Sequence, residues 1–237
     1  MSTLLLRLAG PLQSWGVQSH FTHRDTGLEP SKSGVIGLIC AALGKPRDEG
    51  HPDNAGKPSL STLAGLRMGV RVDREGIVKK DYHTAQNIMK AGGKPFVGLK
   101  ETELSERFYL ADAAFLVGLE SQDHELLLQI DTGLRRPVWM LCLGRKAFVP
   151  GYSVWLPDGL KPDLCLEEAL QGPSAYPRLA NGRNRDQRAR LVIEDAEKGS
   201  IVRPDQPISF MRGRRQFTIR RVNMDFCIPP QKMTEAP

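Results

Sequence analysis

Four side chains that could bind or cleave RNA lie within five residues of one polar segment. Lys79 and Lys80 supply two cations, Tyr82 an aromatic ring and His83 an imidazole. Cations beside a ring on which a base can stack are typical of binding to a flexible single strand. Lys80, Tyr82 and His83 could instead supply the base and the acid of a metal-independent endoribonuclease. A third interpretation is an exposed polar hairpin without a ligand, and the residues leave all three open.

Two further pairs of residues could contact RNA, one in a predicted turn and one at the start of a predicted helix. Gln13 and Trp15 follow an apolar run, where the amide could read a base edge and the indole could stack on a base. The alternative is a tryptophan packed under the loop. Lys32 and Ser33 precede an apolar segment whose helix N-terminus would attract a phosphate. Alternatively, Ser33 only caps the helix and Lys32 is solvated.

Basic residues are concentrated towards the C-terminus. Residues 176–221 hold eleven arginines and one lysine against five acids, a surplus of seven, whereas residues 1–175 sum to zero and residues 222–237 to minus one. A clustered basic face is typical of a protein with a polyanionic partner. A solvated arginine-rich surface would give the same composition, so charge alone does not decide between them.

Two basic groups have the local context of a phosphate contact. Arg145 and Lys146 come in a glycine turn after a predicted strand, from which they could reach phosphates. The second group combines three cations with a nearby ring, Arg212, Arg214 and Arg215 with Phe217. We predict that both groups bind RNA.

Other patterns fail as cofactor or metal motifs. Residues 44–46 resemble the end of a phosphate-binding loop, but a proline stands where Ser or Thr would meet magnesium. His20 and His23 are spaced like a metal pair on a helix, yet no Cys or acidic cluster completes the set and the segment reads as a loop. We therefore expect no metal and no cofactor, and a small-molecule enzyme has no supporting motif.

The composition predicts a cytoplasmic protein with a folded core. Of the 237 residues, 40% are hydrophobic and 25% charged, which is ordinary for a globular chain. The longest apolar run, residues 34–43, is too short for a bilayer, which needs about 20 residues. The N-terminus lacks the pattern of a signal peptide. Four scattered cysteines without a C-x-x-C pair indicate reduced thiols.

The apolar pattern and the turn residues predict an α+β fold that would position these side chains. In order we predict a strand at 3–9, a helix at 34–43, strands at 66–72 and 108–119, a helix at 123–134 and a strand at 138–143. Residues 79–108 form a long excursion, interpreted as an extended hairpin with a mobile tip at Gly92-Gly93. This order is the βαββαβ pattern of a ferredoxin-like (RRM-like) fold.

The chain is predicted to divide into three parts. Residues 1–148 would form the ferredoxin-like domain, including the excursion. Residues 149–226 would form an arginine-rich extension, in which 201–210 and 216–226 make a small antiparallel pair. Residues 227–237 would be a tail.

Several short motifs, in the same order along the chain, resemble the CasD family of the type I-E Cascade complex, which belongs to the repeat-associated (RAMP) superfamily of CRISPR proteins. They are LLRLAGPLQSWG at 5–16, PSKSGVIGL at 30–38, DYHT at 81–84, YLADA at 109–113, LGRK at 143–146, and RQF at 215–217 with Arg220. Each motif is short and rich in common residues, so their shared order carries the resemblance. Residues 158–203 carry no such match.

The resemblance implies a ferredoxin-like domain whose hairpin acts as a thumb. It also implies a non-catalytic subunit that caps the repeat-derived 5′ handle of CRISPR RNA. The expected partners are the backbone and large subunits of the complex, with target DNA met through the whole assembly. Cleavage of repeat RNA, which a related branch performs, is the alternative function.

Overall fold

The computed structural model describes residues 1–19, 22–86, 102–172, 175–178 and 188–230. These residues form an α+β fold with two sheets. The strands are β1 (Ser2–Ala9), β2 (Leu12–Gln13), β3 (His23–Arg24), β4 (Arg67–Arg74), β5 (Ile77–Gln86), β6 (Thr102–Ala111), β7 (Ala114–Ser121), β8 (Trp155–Lys161), β9 (Ala189–Glu194), β10 (Ile201–Ser209) and β11 (Gln216–Cys227). The helices are α1 (Lys32–Ala42), α2 (Leu60–Ala64), α3 (His124–Arg135) and α4 (Leu166–Gln171).

The larger sheet has seven strands in the order β10-β11-β9-β4-β7-β1-β8, with antiparallel neighbours throughout. β1 is covered on both faces, which explains its nearly continuous leucines. Leu4 and Leu6 belong to the core under α1, α2 and α3, whereas Leu5 belongs to the core under α4. The predicted α+β class is confirmed.

The first helix begins and ends where the sequence predicts to within two residues. The Ser31 side chain caps it by accepting a hydrogen bond from the Gly34 N–H. Gly44, with φ of 62°, ends it in the left-handed conformation that glycine adopts without strain. No helix among the described residues has the length and apolar character that crossing a membrane requires.

The predicted hairpin is present. β5 and β6 pair from Ile77↔Ala111 to Gln86↔Thr102 without a register shift, and β6 also pairs with β2 and β3 to complete the smaller sheet. The predicted Gly92-Gly93 tip lies outside the described residues. The predicted strand at 108–119 is two strands, because Asp112 turns with φ of 57° between β6 and β7.

The strand predicted at 138–143 is wrong. This segment is a loop whose first two amides are used by the end of α1, since Val138 N–H donates to Ala42 O at 3.0 Å and Trp139 N–H to Ala41 O at 3.1 Å. The place beside β1 is taken instead by β8, further along the chain. The apolar residues at 138–140 therefore cap a helix and remain exposed.

The C-terminal strands extend the large sheet. β9 pairs with β4, β11 with β9, and β10 with β11, so the antiparallel pair predicted at 201–226 joins the sheet through β9. The two edge strands contain prolines, Pro157 in β8 and Pro204 and Pro207 in β10. The division of the chain at residue 148 stays a prediction.

Candidate nucleic-acid interface

A groove of about 750 Å³ separates α1 from the 138–148 loop and from the turn between β10 and β11. The floor is α1, and the loop and the turn form its walls. Its lining includes Ser33, Gly37, Ala41, Trp139, Met140, Arg145, Lys146, Phe210, Arg215 and Phe217. Predicted site residues from three separate parts of the sequence thus meet in one place.

Cations dominate the rim of the groove. Arg24, Arg47, Lys146 and Arg215 line it, and within the described residues their side chains form no hydrogen bond or ion pair. Lys45 also lines it but is paired with Glu49 at 3.0 Å. These unpaired charges favour an anionic ligand such as a phosphate backbone.

Among the described residues that line the groove, Asp25 is the one acidic side chain. Burial works against its charged form, yet hydrogen bonds from Ser19 and from the amides of Gln18 and Val17 lower the pKa of Asp25 below its usual value. Its charge is therefore held by the 16–19 turn, and it opposes an anion less than a free carboxylate would.

Arg145 is fixed in the wall by contacts with its neighbours. Its Nη2 donates to Phe108 O at 2.9 Å, and the guanidinium lies 5.5 Å from the centroid of the Phe148 ring. Partial burial, and then the charge of Arg107, lower the pKa of Arg145 below its usual value. The turn depends on Gly144, where φ is 92° and a Cβ would lie 1.8 Å from Ser14 O.

The second predicted basic group lies in the turn between β10 and β11. Arg212, Arg214 and Arg215 are exposed, and no ion pair holds their side chains within the part of the chain that is described. Phe217 follows with 46% of its surface exposed, 6.4 Å from Phe210. Arg215 and Phe217 reach the groove, as a phosphate contact and a stacking ring would.

Gln13 and Trp15 do not have the predicted exposure. They are 0% and 2% exposed, and Trp15 Nε1 donates to Gln13 Oε1 at 3.1 Å. Gln13 Nε2 donates to the carbonyls of Ala113 and Leu8. The prediction that this amide reads a base and this indole stacks on one is therefore wrong for the folded chain, because both polar groups are satisfied inside the core.

Lys32 is also in the core, which contradicts its predicted contact with phosphate. It is 1% exposed, and its Nζ lies 2.9 Å from both carboxylate oxygens of Glu194. At the start of α1, the Lys32 N–H donates to Asp205 Oδ2 at 2.8 Å, so a protein carboxylate occupies the anion position. Ser31 caps the helix instead of Ser33, and Ser33 lines the groove.

The four residues of the hairpin are divided between its two faces. Lys80 pairs with Glu106 at 2.7 Å, on the face that also carries Tyr82. Because side chains alternate along a strand, Lys79 and His83 lie on the other face. That face also carries Asp81 and Arg107, whose charges act on Arg145. His83 Nδ1 is buried without a hydrogen-bond partner in the described residues.

Three groove residues were missed by sequence reasoning. Arg24 and Arg47 lie in loops without a motif, and only their charge could have pointed to them. Trp139 was assigned to a strand, although 47% of its surface is exposed. The nearby Arg135-Arg136-Pro137 sequence marks the end of α3 and was the available sign that a loop follows.

Metal and thiol chemistry receive no support from the described residues. No group of three His, Cys, Asp or Glu side chains there could hold a metal ion, and His20 lies outside the described residues. Cys40 lines the groove, but burial raises the pKa of its thiol to about 11. That thiol stays protonated at neutral pH and is a poor nucleophile.

Comparisons with known proteins identify relatives along most of the chain. A family model described as "CRISPR-associated protein (Cas_Cas5)" matches residues 3–223. The curated "CRISPR system Cascade subunit CasD" of Escherichia coli (strain K12) is 34% identical over 152 residues, covering 62% of this chain and 66% of that relative. The alignment thus spans slightly less than two thirds of that relative's length.

Two solved structures are similar over almost their whole length. One, described as "Crystal structure of Cas protein", is 40% identical with a TM-score of 0.70 and covers 96% of this chain and 95% of its own. The other, from a "CRISPR RNA-guided surveillance complex", is 30% identical with a TM-score of 0.70 and covers 99% and 94%. The resemblance inferred from the motifs is confirmed, and the chain belongs to the CRISPR-associated protein (Cas_Cas5) family.

Proposed function

We propose that this chain is a non-catalytic, RNA-binding subunit of a Cascade-type CRISPR surveillance complex. Two relatives support the proposal, because one is a Cascade subunit by name and the other comes from an RNA-guided surveillance complex. The observation that carries it is the groove, which is lined by four cations without a partner in the described residues and by the exposed rings of Trp139 and Phe217. Cations for phosphates and rings for bases are the two requirements of a single-strand site.

The ligand in this proposal is the repeat-derived 5′ handle of CRISPR RNA. Its backbone would contact Arg145 and Lys146 on one wall and Arg215 on the other. Unpaired bases would meet Trp139 and Phe217. The hairpin formed by β5 and β6 is the thumb in this proposal. The face of the hairpin that carries Lys79 and His83 adjoins Arg145. The proposed partners are the backbone and large subunits, and target DNA through the assembled complex, in the cytoplasm.

We also propose that four strands of the large sheet, together with α1 and α3, form a ferredoxin-like domain. The strands β8, β1, β7 and β4 are neighbours in that order, all antiparallel, and the chain passes from β1 through α1 to β4 and from β7 through α3 to β8. This is the fourth-first-third-second order expected of a βαββαβ unit. In this view residues 149–226 complete the unit with β8 and then extend it, and Cys227 is the last residue of β11.

The alternative, cleavage of repeat RNA, has weaker support from the geometry. An endoribonuclease needs a base and an acid that reach the same phosphodiester. Lys80 is neutralised by Glu106, and its side chain leaves the hairpin on the face opposite His83. The proposed role is therefore binding without catalysis.

The test replaces Arg145 and Lys146 with alanine in the assembled complex and measures the guide RNA that co-purifies. We expect at least about a tenfold loss of RNA affinity, since a hydrogen bond to a charged group contributes about 1.5–3 kcal/mol. Lys198→Ala, an exposed cation in the turn between β9 and β10, is the matched control. Because Arg145 also donates to Phe108 O, Lys146→Ala alone keeps the test valid if the double variant unfolds.

Two results would contradict the proposal. Unchanged RNA content in both variants would remove this wall from the binding site. Site-specific cleavage of repeat RNA by the parent chain in EDTA, lost in His83→Ala, would make the protein a nuclease.

A further inference from the structure

Gly37 leaves an unfilled space over the middle of α1. A Cβ at this position would have no heavy atom within 4 Å, and its backbone is not in the left-handed region. Glycine inside a helix destabilises it relative to alanine. Neither packing nor backbone conformation requires glycine here among the described residues, and Gly37 lines the groove.

A second glycine of the same helix has the opposite role. At Gly34 a Cβ would lie 2.9 Å from the buried Trp15 ring, so this glycine is needed for packing. The two glycines therefore differ in their surroundings, since only Gly34 is packed against a neighbouring side chain. Gly34 lets the core close, whereas Gly37 faces a space that the described residues do not fill.

The open space has the dimensions of nucleotide components. Ser33, Gly37 and Ala41 are four residues apart on one face of α1 and all line the groove. At a rise of about 1.5 Å per residue this floor is about 12 Å long. Stacked bases are about 3.4 Å apart along a strand, so the floor is long enough for more than one base.

Trp139 forms a rigid wall at the C-terminal end of this floor. Its N–H donates to Ala41 O, and the preceding Val138 N–H donates to Ala42 O, which anchors the backbone on the helix end. The ring is 47% exposed and contacts no other aromatic ring or cation within the described residues. Trp155, in contrast, donates from Nε1 to Asp131 and packs against Arg135.

We infer that the groove binds the base of an unstacked RNA nucleotide against Trp139, and that Gly37 lets this nucleotide contact the backbone of α1. The inference rests on the proposed function and specifies which part of the RNA enters the groove. A base supplies the flat apolar surface that fits an exposed indole. The nearby Lys146 and Arg145 can bind the phosphates that flank it.

The experiment fills the space above Gly37 with a side chain. Gly37→Ala and Gly37→Leu are compared with the parent chain for binding of single-stranded repeat RNA, and the unfolding temperature of each is measured. We expect Gly37→Leu to weaken binding about tenfold or more and Gly37→Ala to weaken it less. Neither should lower the unfolding temperature, because both replace glycine in a helix. Gln129→Leu, which adds an exposed leucine on α3 outside the groove, is the matched control.

A scan with abasic RNA separates base binding from phosphate binding. In the parent chain, removal of one particular base should weaken binding about tenfold. In Gly37→Leu the same abasic RNA should bind no worse than intact RNA, because the base no longer enters. In parallel, the tryptophan fluorescence that RNA quenches should be lost in Trp139→Phe.

Full affinity of Gly37→Leu for RNA would overturn the inference. If Arg145→Ala with Lys146→Ala still loses RNA in that case, the proposed function stands and only the base site fails. If neither variant loses RNA, this surface is not the RNA-binding site and the proposed function fails with it.

Discussion

The arginines near the C-terminus divide into two groups with opposite surroundings. Carboxylates pair with Arg190 of β9, Arg203 of β10 and Arg220 of β11. The exposed group, Arg212, Arg214 and Arg215, has no such partners in the described structure. Both groups come from the same arginine-rich stretch, yet only the second is exposed and without ion pairs in the described residues.

The paired group connects the C-terminal strands to α1. Arg220 donates to both oxygens of Asp205 at 2.7 and 3.0 Å, and Asp205 also accepts from the Lys32 N–H at the start of the helix. Lys32 in turn binds Glu194 of β9. Part of the basic excess of this stretch therefore holds the fold together, and a net charge counted from sequence overstates the surface available for RNA.

The largest effect is expected from Arg220→Ala. Removing one partner of a buried pair leaves Asp205 uncompensated, which typically costs about 3–5 kcal/mol. Urea denaturation should show this loss in the free energy of unfolding. Arg221→Ala, at the next and exposed position of β11, is the control and should cost much less. If both variants lost the same free energy of unfolding, the carboxylate partners of the paired group would not stabilise the fold.

A smaller effect, on binding and not on folding, is expected when Arg212, Arg214 and Arg215 are all replaced with alanine. The salt dependence of binding to single-stranded RNA should become shallower by about 2 in log–log slope, since each phosphate contact contributes about 0.7. Filter binding across a salt series measures the slope, and denaturation should show parent-like stability. An unchanged slope would place these arginines with the solvated charges.

The smallest effect concerns Glu29, which accepts hydrogen bonds from Arg190 and Arg203. Burial works to raise its pKa, but these two arginines outweigh burial and lower the pKa of Glu29 below 4.5. Its stabilising contribution is therefore present above pH 4.5 and is lost as pH falls through the lowered pKa. In Glu29→Gln we expect lower stability at pH 7 and a difference from the parent that shrinks in acid.

Denaturation of both chains from pH 7 to pH 3 measures that difference. Glu197→Gln, an exposed carboxylate in the turn after β9, serves as the control. A Glu29 difference that is constant with pH would mean that its charge does not contribute.

Sequence reasoning predicted the helices and strands that have a clear apolar pattern of their own. It failed where contacts between distant segments determine the structure of a segment. β4 and α3 were found from apolar residues at strand or helix spacing, and β1 and α1 from apolar runs that end at Gly and Pro. The segment 138–143 has the same apolar content, but its amides bind the end of α1, which no local pattern records. The place of β8 beside β1 was missed for the same reason.

The site predictions divide along a similar line. The turn cations Arg145, Lys146 and Arg215 line the groove, and their predicted contact with RNA stays a prediction. Lys32 and Trp15 have equally suitable side chains, but partners far away in sequence, such as Glu194 for Lys32, place them in the core. Residue type indicates what a side chain can bind, and only the tertiary structure decides whether it is free to do so.

The prolines at both edges of the large sheet restrict how other chains can join it. Pro157 in β8 and Pro204 and Pro207 in β10 have no N–H to donate, so neither outer strand offers a continuous ladder to an incoming strand. Fibre-like growth by strand addition is thereby discouraged at both ends. A partner chain would therefore find no unbroken backbone ladder at either edge of the large sheet, and its contacts there would depend on side chains that point substitutions can alter.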